Sequence, residues 1–270
     1  MADPTGIPVL HQFASSHYNE KARWGLDWKG VAHRRETHLP GPHVLPIRRL
    51  SGQSSTPVLC LDGAVIAGSA AILDALERRF PARPLYPEDP ALRERALAIQ
   101  RDFDAEVGVA ARTAVFSVLL EEPNYLCATF AGHRARPART LYRAALPALK
   151  PLIAKANGVT GAAAVERAFA RTEAALDFVA REAGASGHLV GDAFSVADII
   201  WSLTVLRIRE CGYPFERFPA LEAWYARVEK RRGFRDGVMA RHRTLSRVFR
   251  LKAAFENFLG RGLRAASARG

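Results

Sequence analysis

Four prolines fall within the ten residues 81–90, Pro-Ala-Arg-Pro-Leu-Tyr-Pro-Glu-Asp-Pro. Proline fixes φ and offers no backbone N–H, so no regular element runs through this stretch. It reads as an interdomain linker. The two sides of it differ in pattern. Before it, short apolar runs and helical stripes alternate; after it, every periodic segment reads helical. The chain has 270 residues, 49% of them hydrophobic and 24% charged, which is enough for one large domain or two smaller ones with a real core and excludes long disorder.

On the N-terminal side, residues 7–13 (Ile-Pro-Val-Leu-His-Gln-Phe) read as a strand. A polar turn, Ala14-Ser15-Ser16-His17, leads into a helix from about Tyr18 to Lys29 that Gly30 stops. Its Ala22, Leu26 and Trp24 or Trp28 point to a core. Thr37-His-Leu lies near a second strand, followed by a short irregular stretch. The runs Pro57-Val-Leu-Cys-Leu and Ala64-Val-Ile-Ala flank Asp62-Gly63, the strongest short hairpin signal. A helix then runs from Ser69 to about Phe80, with Ile72, Leu73, Leu76 and Phe80 on one stripe. Beyond the linker, helices are expected over residues 90–121, 138–156, 162–184, 195–211 and 219–232.

Charge narrows the function classes. The net charge is +12, but residues 1–80 carry only +2 and residues 81–240 only +3, while the last 30 residues carry +7. The body is nearly balanced, so nucleic-acid binding is not expected of it. No uninterrupted apolar run is long enough to span a bilayer. The first residues lack a basic and an apolar signal region, so the expected compartment is the cytoplasm. Cys60, Cys127 and Cys211 are far apart and lack metal-ligand spacing, so they read as buried structural thiols and no metal is expected. The tail places Leu245, Val248, Phe249, Phe255, Phe258, Leu259 and Leu263 at helical spacing among arginines. It either docks on an anionic membrane or a partner helix, or packs its apolar face back on the body; a terminal helix with its own core to cover favours the second.

Four constellations bear on chemistry. Pro57 heads an apolar strand and pushes Thr56 to an extended conformation. This is an ordinary strand start or, with a cis bond, an edge that accepts a peptide-like ligand. Ser69 opens a helix, where a serine caps N–H groups and the helix end attracts a carboxylate. Ser15 and Ser16 sit where a hydroxyl either caps the first helix or donates to a thiolate. Ser195 and Asp198 are spaced as a capping box, a structural signal. Pro219 starts a further helix, and Trp201 and Trp224 read as core. His17 adjoins Ser16 but assembles no triad.

Together these pieces resemble the cytosolic glutathione S-transferase superfamily over about residues 7–235. The resemblance rests on Ser16-His-Tyr-Asn-Glu-Lys-Ala-Arg-Trp24, on Thr56-Pro-Val-Leu-Cys-Leu-Asp-Gly-Ala-Val-Ile-Ala-Gly-Ser69 and on Gly191-Asp-Ala-Phe-Ser-Val-Ala-Asp198, in that order around the linker. The first segment is similar to that of a bacterial, serine-type-like branch. The resemblance implies a thioredoxin-like α/β N-terminal domain (residues 1–80) and, after the linker 81–90, an all-helical C-terminal domain (91–240), with the basic amphipathic tail at 241–270. It also implies a cis bond before Pro57.

By the same resemblance, Thr56 holds the cysteinyl backbone of glutathione, with Pro57 and Gly68 beside it, and Ser69 holds the γ-glutamyl carboxylate. His43 falls in the segment near the glycine end. Ser16 is the catalytic residue, its hydroxyl bonding the glutathione thiolate, which attacks a hydrophobic electrophile lodged near Phe13, Tyr18 and Phe116. Glutathione is thus the expected co-substrate and a homodimer the expected assembly. The sequence departs from the family pattern at Gly68, usually Glu or Gln, at Ser55, and at Asn19, which replaces a cysteine frequent in the branch. A binding or interaction protein that keeps the fold without turnover is the alternative.

Overall fold

The computed structural model describes residues 6–213 and 215–238, and beyond them residues 247, 248, 251, 252, 254, 255, 258 and 259. The N-terminal part is a four-stranded mixed sheet of order β2-β1-β3-β4. β1 (Val9–Phe13) runs parallel to β2 (Arg34–His38) and antiparallel to β3 (Val58–Leu61), which pairs with β4 (Ala64–Ala67). The turn between the last two has Asp62 at φ 48° and Gly63 at φ 80°, both in the left-handed region. Such a two-residue turn needs that conformation to follow the strand twist, which is why Asp-Gly marks it.

Alternation along β1 separates the two faces of the sheet. Leu10 points to one side and packs with Leu59 and Leu61 against Ala22 and Leu26 of α1 (His17–Lys29) and Ile72 and Leu76 of α3 (Ser69–Arg79). His11 and Phe13 belong to the other side. Gly30 ends α1 at φ 70°, its N–H bonded to the carbonyls of Asp27 and Leu26.

Where a short irregular stretch was expected, the chain forms α2 (Val44–Ser51). The helix is eight residues long, has Pro46 in its first turn and buries only Ile47, so it leaves no periodic stripe to read.

The helical part comprises α4 (Pro90–Asp102), α5 (Gly108–Leu119), α6 (Pro123–Ala131), α7 (Arg136–Ala156), α8 (Ala162–Ser186), α9 (Val196–Glu210) and α10 (Pro219–Glu229). Two expectations need correction. The segment read as one helix over 90–121 is broken by a π-helical turn, Phe103–Val107. The helix α6 was missed, although Pro123 in its first turn is a usable start signal. One core joins the two parts: Trp24 of α1 packs with Phe194 and Phe234, and Trp201 and Trp224 lie in the same cluster.

Asp198, fully buried at the start of α9, completes the expected capping box and more. It accepts from the backbone N–H of Ser195 at 3.0 Å and of Leu189 at 3.2 Å, and from Trp224 Nε1 at 2.9 Å. A single carboxylate thus ties the preceding loop, α9 and α10 together.

Most of the basic tail lies outside the described residues. Val248, Leu251, Phe255, Phe258 and Leu259 are described, and they are exposed, Phe258 by 86%. The expectation that the apolar face packs back on the body fails at these positions. Lys252 pairs with Glu122 just before α6. Among the described residues, no helix is long and apolar enough to cross a membrane.

Candidate functional site

The first turn of α1 builds one wall of the site. Ser16 is the N-cap residue, with extended backbone (φ −175°, ψ 133°), and its carbonyl accepts the first helical bond from Glu20 N at 2.8 Å. Its hydroxyl makes no capping bond. The side chain lines a cavity of about 400 Å³ between the sheet part and the helices.

The π turn explains how this wall is held. Asp104 within it accepts from Lys21 Nζ at 2.7 and 2.8 Å, while Phe103 meets the rings of His17 and Tyr18 at 5.4 and 6.0 Å. Gly108 follows directly. A Cβ there would lie 2.6 Å from Tyr18 Oη, so only glycine lets α5 approach the tyrosine this closely. Single π turns inside helices recur at functional sites because they re-aim the side chains around them.

The opposite wall comes from the loop before β3. The Thr56–Pro57 peptide bond is cis. Thr56 lines the cavity with Ser54 and Ser55, and its buried Oγ1 has no partner within the protein. His43, at the start of α2, also lines the cavity, its ring edge-on to Phe13 at 4.7 Å. The apolar wall is Phe116 of α5 and Phe130 of α6, with ring centroids 6.2 Å apart. The cavity therefore gathers Ser16, His43 and Thr56 with Phe13, Tyr18 and Phe116.

Pro57, Gly68 and Ser69 are not among the lining residues. They adjoin the Thr56 rim, because Gly68 N donates to Pro57 O at 2.9 Å. The expectation that Ser69 caps α3 is corrected here. Ser69 is the first helical residue, and the N-cap is Gly68, at φ 93° and without a side chain to offer. The N–H groups at this helix end receive no side-chain cap, so their partial positive charge is open to an anion.

The cavity floor is cationic, which sequence reasoning missed. Arg112 of α5 and Arg207 of α9 both line it. Arg207 Nη1 donates to Glu210 at 2.7 Å, while buried Arg112 Nε and Arg207 Nη2 find no acceptor within the protein. These arginines lie on helices far apart in sequence. The one available signal was the Arg207-x-x-Glu210 spacing, which puts both on one helix face.

Burial, reinforced by Arg112, Lys21 and Arg207, pushes His17 down to about 3. The ring is neutral at neutral pH. Burial pushes the Tyr18 hydroxyl up to about 12, against the pull of Arg112. Cys211 also lines the cavity, but burial and then Glu210 hold its thiol well above the usual range, so it is no thiolate nucleophile. Cys127 and Cys211 are buried as expected, whereas Cys60 is half-buried.

No metal was expected, yet three possible ligands converge across β1 and β2. One donor atom each from His11, Glu36 and His38 lies within 4.8 Å of the others. The cluster is outside the cavity lining. Spacing alone could not reveal it, because His11 and the pair Glu36-x-His38 meet only through the parallel strand register.

Unpartnered buried polar atoms at the cavity, among them Thr56 Oγ1, His17 Nε2, Arg112 Nε, Arg207 Nη2 and Glu210 Oε1, suit a ligand with both donors and acceptors. Set between an aromatic wall and an uncapped helix end, they fit a peptide-like molecule bearing carboxylates.

Comparison with known proteins agrees with this geometry. Residues 10–84 match the family model "Glutathione S-transferase, N-terminal domain", and residues 162–227 match "Glutathione S-transferase, C-terminal domain". Over 94 residues, 34% of this chain, it is 32% identical to a probable maleylacetoacetate isomerase of Caenorhabditis elegans, covering 44% of that protein. It is 35% identical over 94 residues to glutathione S-transferase 1 of Dianthus caryophyllus, covering 42% of that protein. The aligned stretch spans less than half the length of each of these curated relatives.

Among solved structures, a β-etherase from Sphingobium sp. strain SYK-6 superposes with a TM-score of 0.67 at 18% identity, over 85% of this chain and 97% of that one. A glutathione S-transferase from Methylobacterium radiotolerans, in complex with glutathione sulfonate, superposes with a TM-score of 0.62 at 24% identity, over 86% and 94%. At these identities the likeness is one of fold.

Proposed function

The chain belongs to the glutathione S-transferase superfamily, and on that premise we propose that it is a glutathione-dependent transferase whose thiolate attacks a hydrophobic electrophile. The observation that carries this reading is the pairing of the open Ser16 hydroxyl with the unpartnered Thr56 edge across one cavity.

In this reading glutathione lies along Thr56 and Pro57. Its γ-glutamyl carboxylate meets the uncapped start of α3 at Gly68 and Ser69, and its glycine end lies toward His43. Ser16 donates its hydroxyl proton as a hydrogen bond to the sulfur. The start of α1 adds positive potential, and Arg112 and Arg207 add more, so the thiol loses its proton more readily than in water. The thiolate forms a bond to an electrophilic carbon. The displaced electron pair leaves with a departing group or is protonated by solvent. Phe13, Tyr18 and Phe116 orient the apolar electrophile, and orientation with thiolate stabilisation supplies most of the acceleration.

Calorimetric titration of reduced glutathione into the wild type and Ser69→Ala, followed by conjugation assays on an electrophile panel, tests the reading. Saturable binding that weakens in the variant, with turnover, supports it. Absence of binding at millimolar glutathione contradicts it and leaves a fold-only binding protein.

The same reading takes residues 1–80 as the glutathione-binding domain, 81–90 as the linker and 91–240 as the helical domain of a cytoplasmic homodimer; sedimentation tests the dimer. It assigns the +7 tail, with its exposed Val248, Leu251, Phe255 and Phe258, to an anionic membrane surface. Flotation with anionic vesicles that is lost on removal of residues 241–270 supports this assignment, and equal flotation of both chains contradicts it.

A further inference from the structure

We infer that His11, Glu36 and His38 form a divalent metal site at the edge of the sheet, with Zn2+ as the best-suited ion. The parallel register sets His11 opposite Glu36, and His38 follows two residues on, so all three side chains share the face turned away from Leu10. β2 is an edge strand, and the site joins it to β1.

The distances suit coordination. His11 Nδ1 and His38 Nε2 are 3.1 Å apart. Two metal–nitrogen bonds of about 2.05 Å across that 3.1 Å gap subtend about 98°, between octahedral and tetrahedral values. Glu36 Oε2 lies 3.7 Å from His11 Nδ1, and Oε1 lies 3.9 Å from His38 Nε2. These two contacts are made by different oxygens, so a single carboxylate oxygen completes the site when the side chain swings inward by roughly 0.5–1.5 Å. Glu36 can do so: its side chain is 47% exposed, whereas the two rings are held in place at 14% and 12%.

The surroundings select the ion. Arg34 acts electrostatically on His11, and Arg134 on His38; Arg134 Nη2 also donates to Thr37 O at 2.6 Å. One carboxylate against two guanidinium groups gives little attraction for a hard cation held by charge, such as Mg2+. Two imidazoles and one carboxylate are instead the donor set of borderline ions, led by Zn2+, with a further position left to water. Binding requires that both facing nitrogens present lone pairs, so the His11–His38 hydrogen bond gives way to the metal.

The test is equilibrium dialysis of the chelator-treated full chain against ZnCl2, with Co2+ absorption as a second readout. The expected result is one equivalent of Zn2+ and visible Co2+ bands, both lost in His11→Ala and in His38→Ala. Glu36→Gln should weaken binding by at least about tenfold, and it probes the half-exposed position if a histidine variant fails to fold. His133→Ala should leave binding unchanged. Binding that survives in the doubly substituted His11→Ala, His38→Ala chain, or no bound Zn2+ in the folded wild type, would overturn the assignment. That second result would leave the cluster as a histidine hydrogen bond with a neighbouring carboxylate.

Discussion

Two serines open helices in this protein, and they are put to different uses. Ser195 and Ser16 both occupy N-cap positions with extended backbone, at φ −136° and φ −175°. Three residues after Ser195 stands Asp198, whose carboxylate folds back on Ser195 N and reaches Leu189 N and Trp224 Nε1. Three residues after Ser16 stands buried Asn19, whose amide forms no bond within the protein. The first helix start is closed by its own side chains and sits in the core. The second leaves its hydroxyl to a cavity. The same local signal therefore marks a closed structural cap where a carboxylate completes it, and an open hydroxyl where nothing does.

Substitutions at the two starts should separate these roles. The largest stability effect belongs to Asp198→Ala, which strands three buried donors and should cost roughly 3–5 kcal/mol by urea unfolding. A loss under about 1 kcal/mol would show that the closed start is not the hub described. Ser16→Ala comes next. It should lower kcat/KM about a hundredfold while changing stability by less than about 1 kcal/mol, because no cap bond is lost. Comparable losses of stability at both serines would erase the distinction.

Acid offers a third, smaller probe. His17 titrates near 3 in the folded chain against 6.5 in the unfolded one, so below pH 6.5 the unfolded chain takes up the proton first. Stability is unaffected by this group above pH 6.5 and declines as pH falls towards 3, by about 2 kcal/mol at pH 5. His17→Gln should flatten that part of the unfolding profile between pH 7 and 5; an unchanged slope would place the acid sensitivity elsewhere. The last probe, confined to one backbone position, concerns the third helix start. A Cβ on Gly68 meets nothing within 4 Å, but φ 93° with ψ 142° lies in a region essentially reserved for glycine, so Gly68→Ala should cost roughly 1–3 kcal/mol in the same measurement.

Local, self-contained signals were the legible ones. Asp62-Gly63, Gly30 and the Ser195/Asp198 pair each dictate a backbone conformation within a few residues, and the structure has all three. Ser16, Thr56, His43, Phe13, Tyr18 and Phe116, singled out by the resemblance, line one cavity.

What stayed hidden depends on how distant elements meet. α2 carries a proline and one buried side chain, too little for a periodic stripe. Arg112 and Arg207 converge only after α5 and α9 pack, and the His11–Glu36–His38 cluster only after β1 and β2 align. At the start of α3 the preceding glycine, not Ser69, takes the non-helical position, which a serine at the head of an apolar stripe does not reveal.

The most direct test of the central claim is the thiol pKa of bound glutathione, read from thiolate ultraviolet absorbance across a pH series in the wild type and Ser16→Ala. The account predicts saturable binding in both, with a thiol pKa below that of free glutathione in the wild type and clearly higher in the variant. Equal pKa values in the two proteins, or no saturable binding in the wild type, would contradict it.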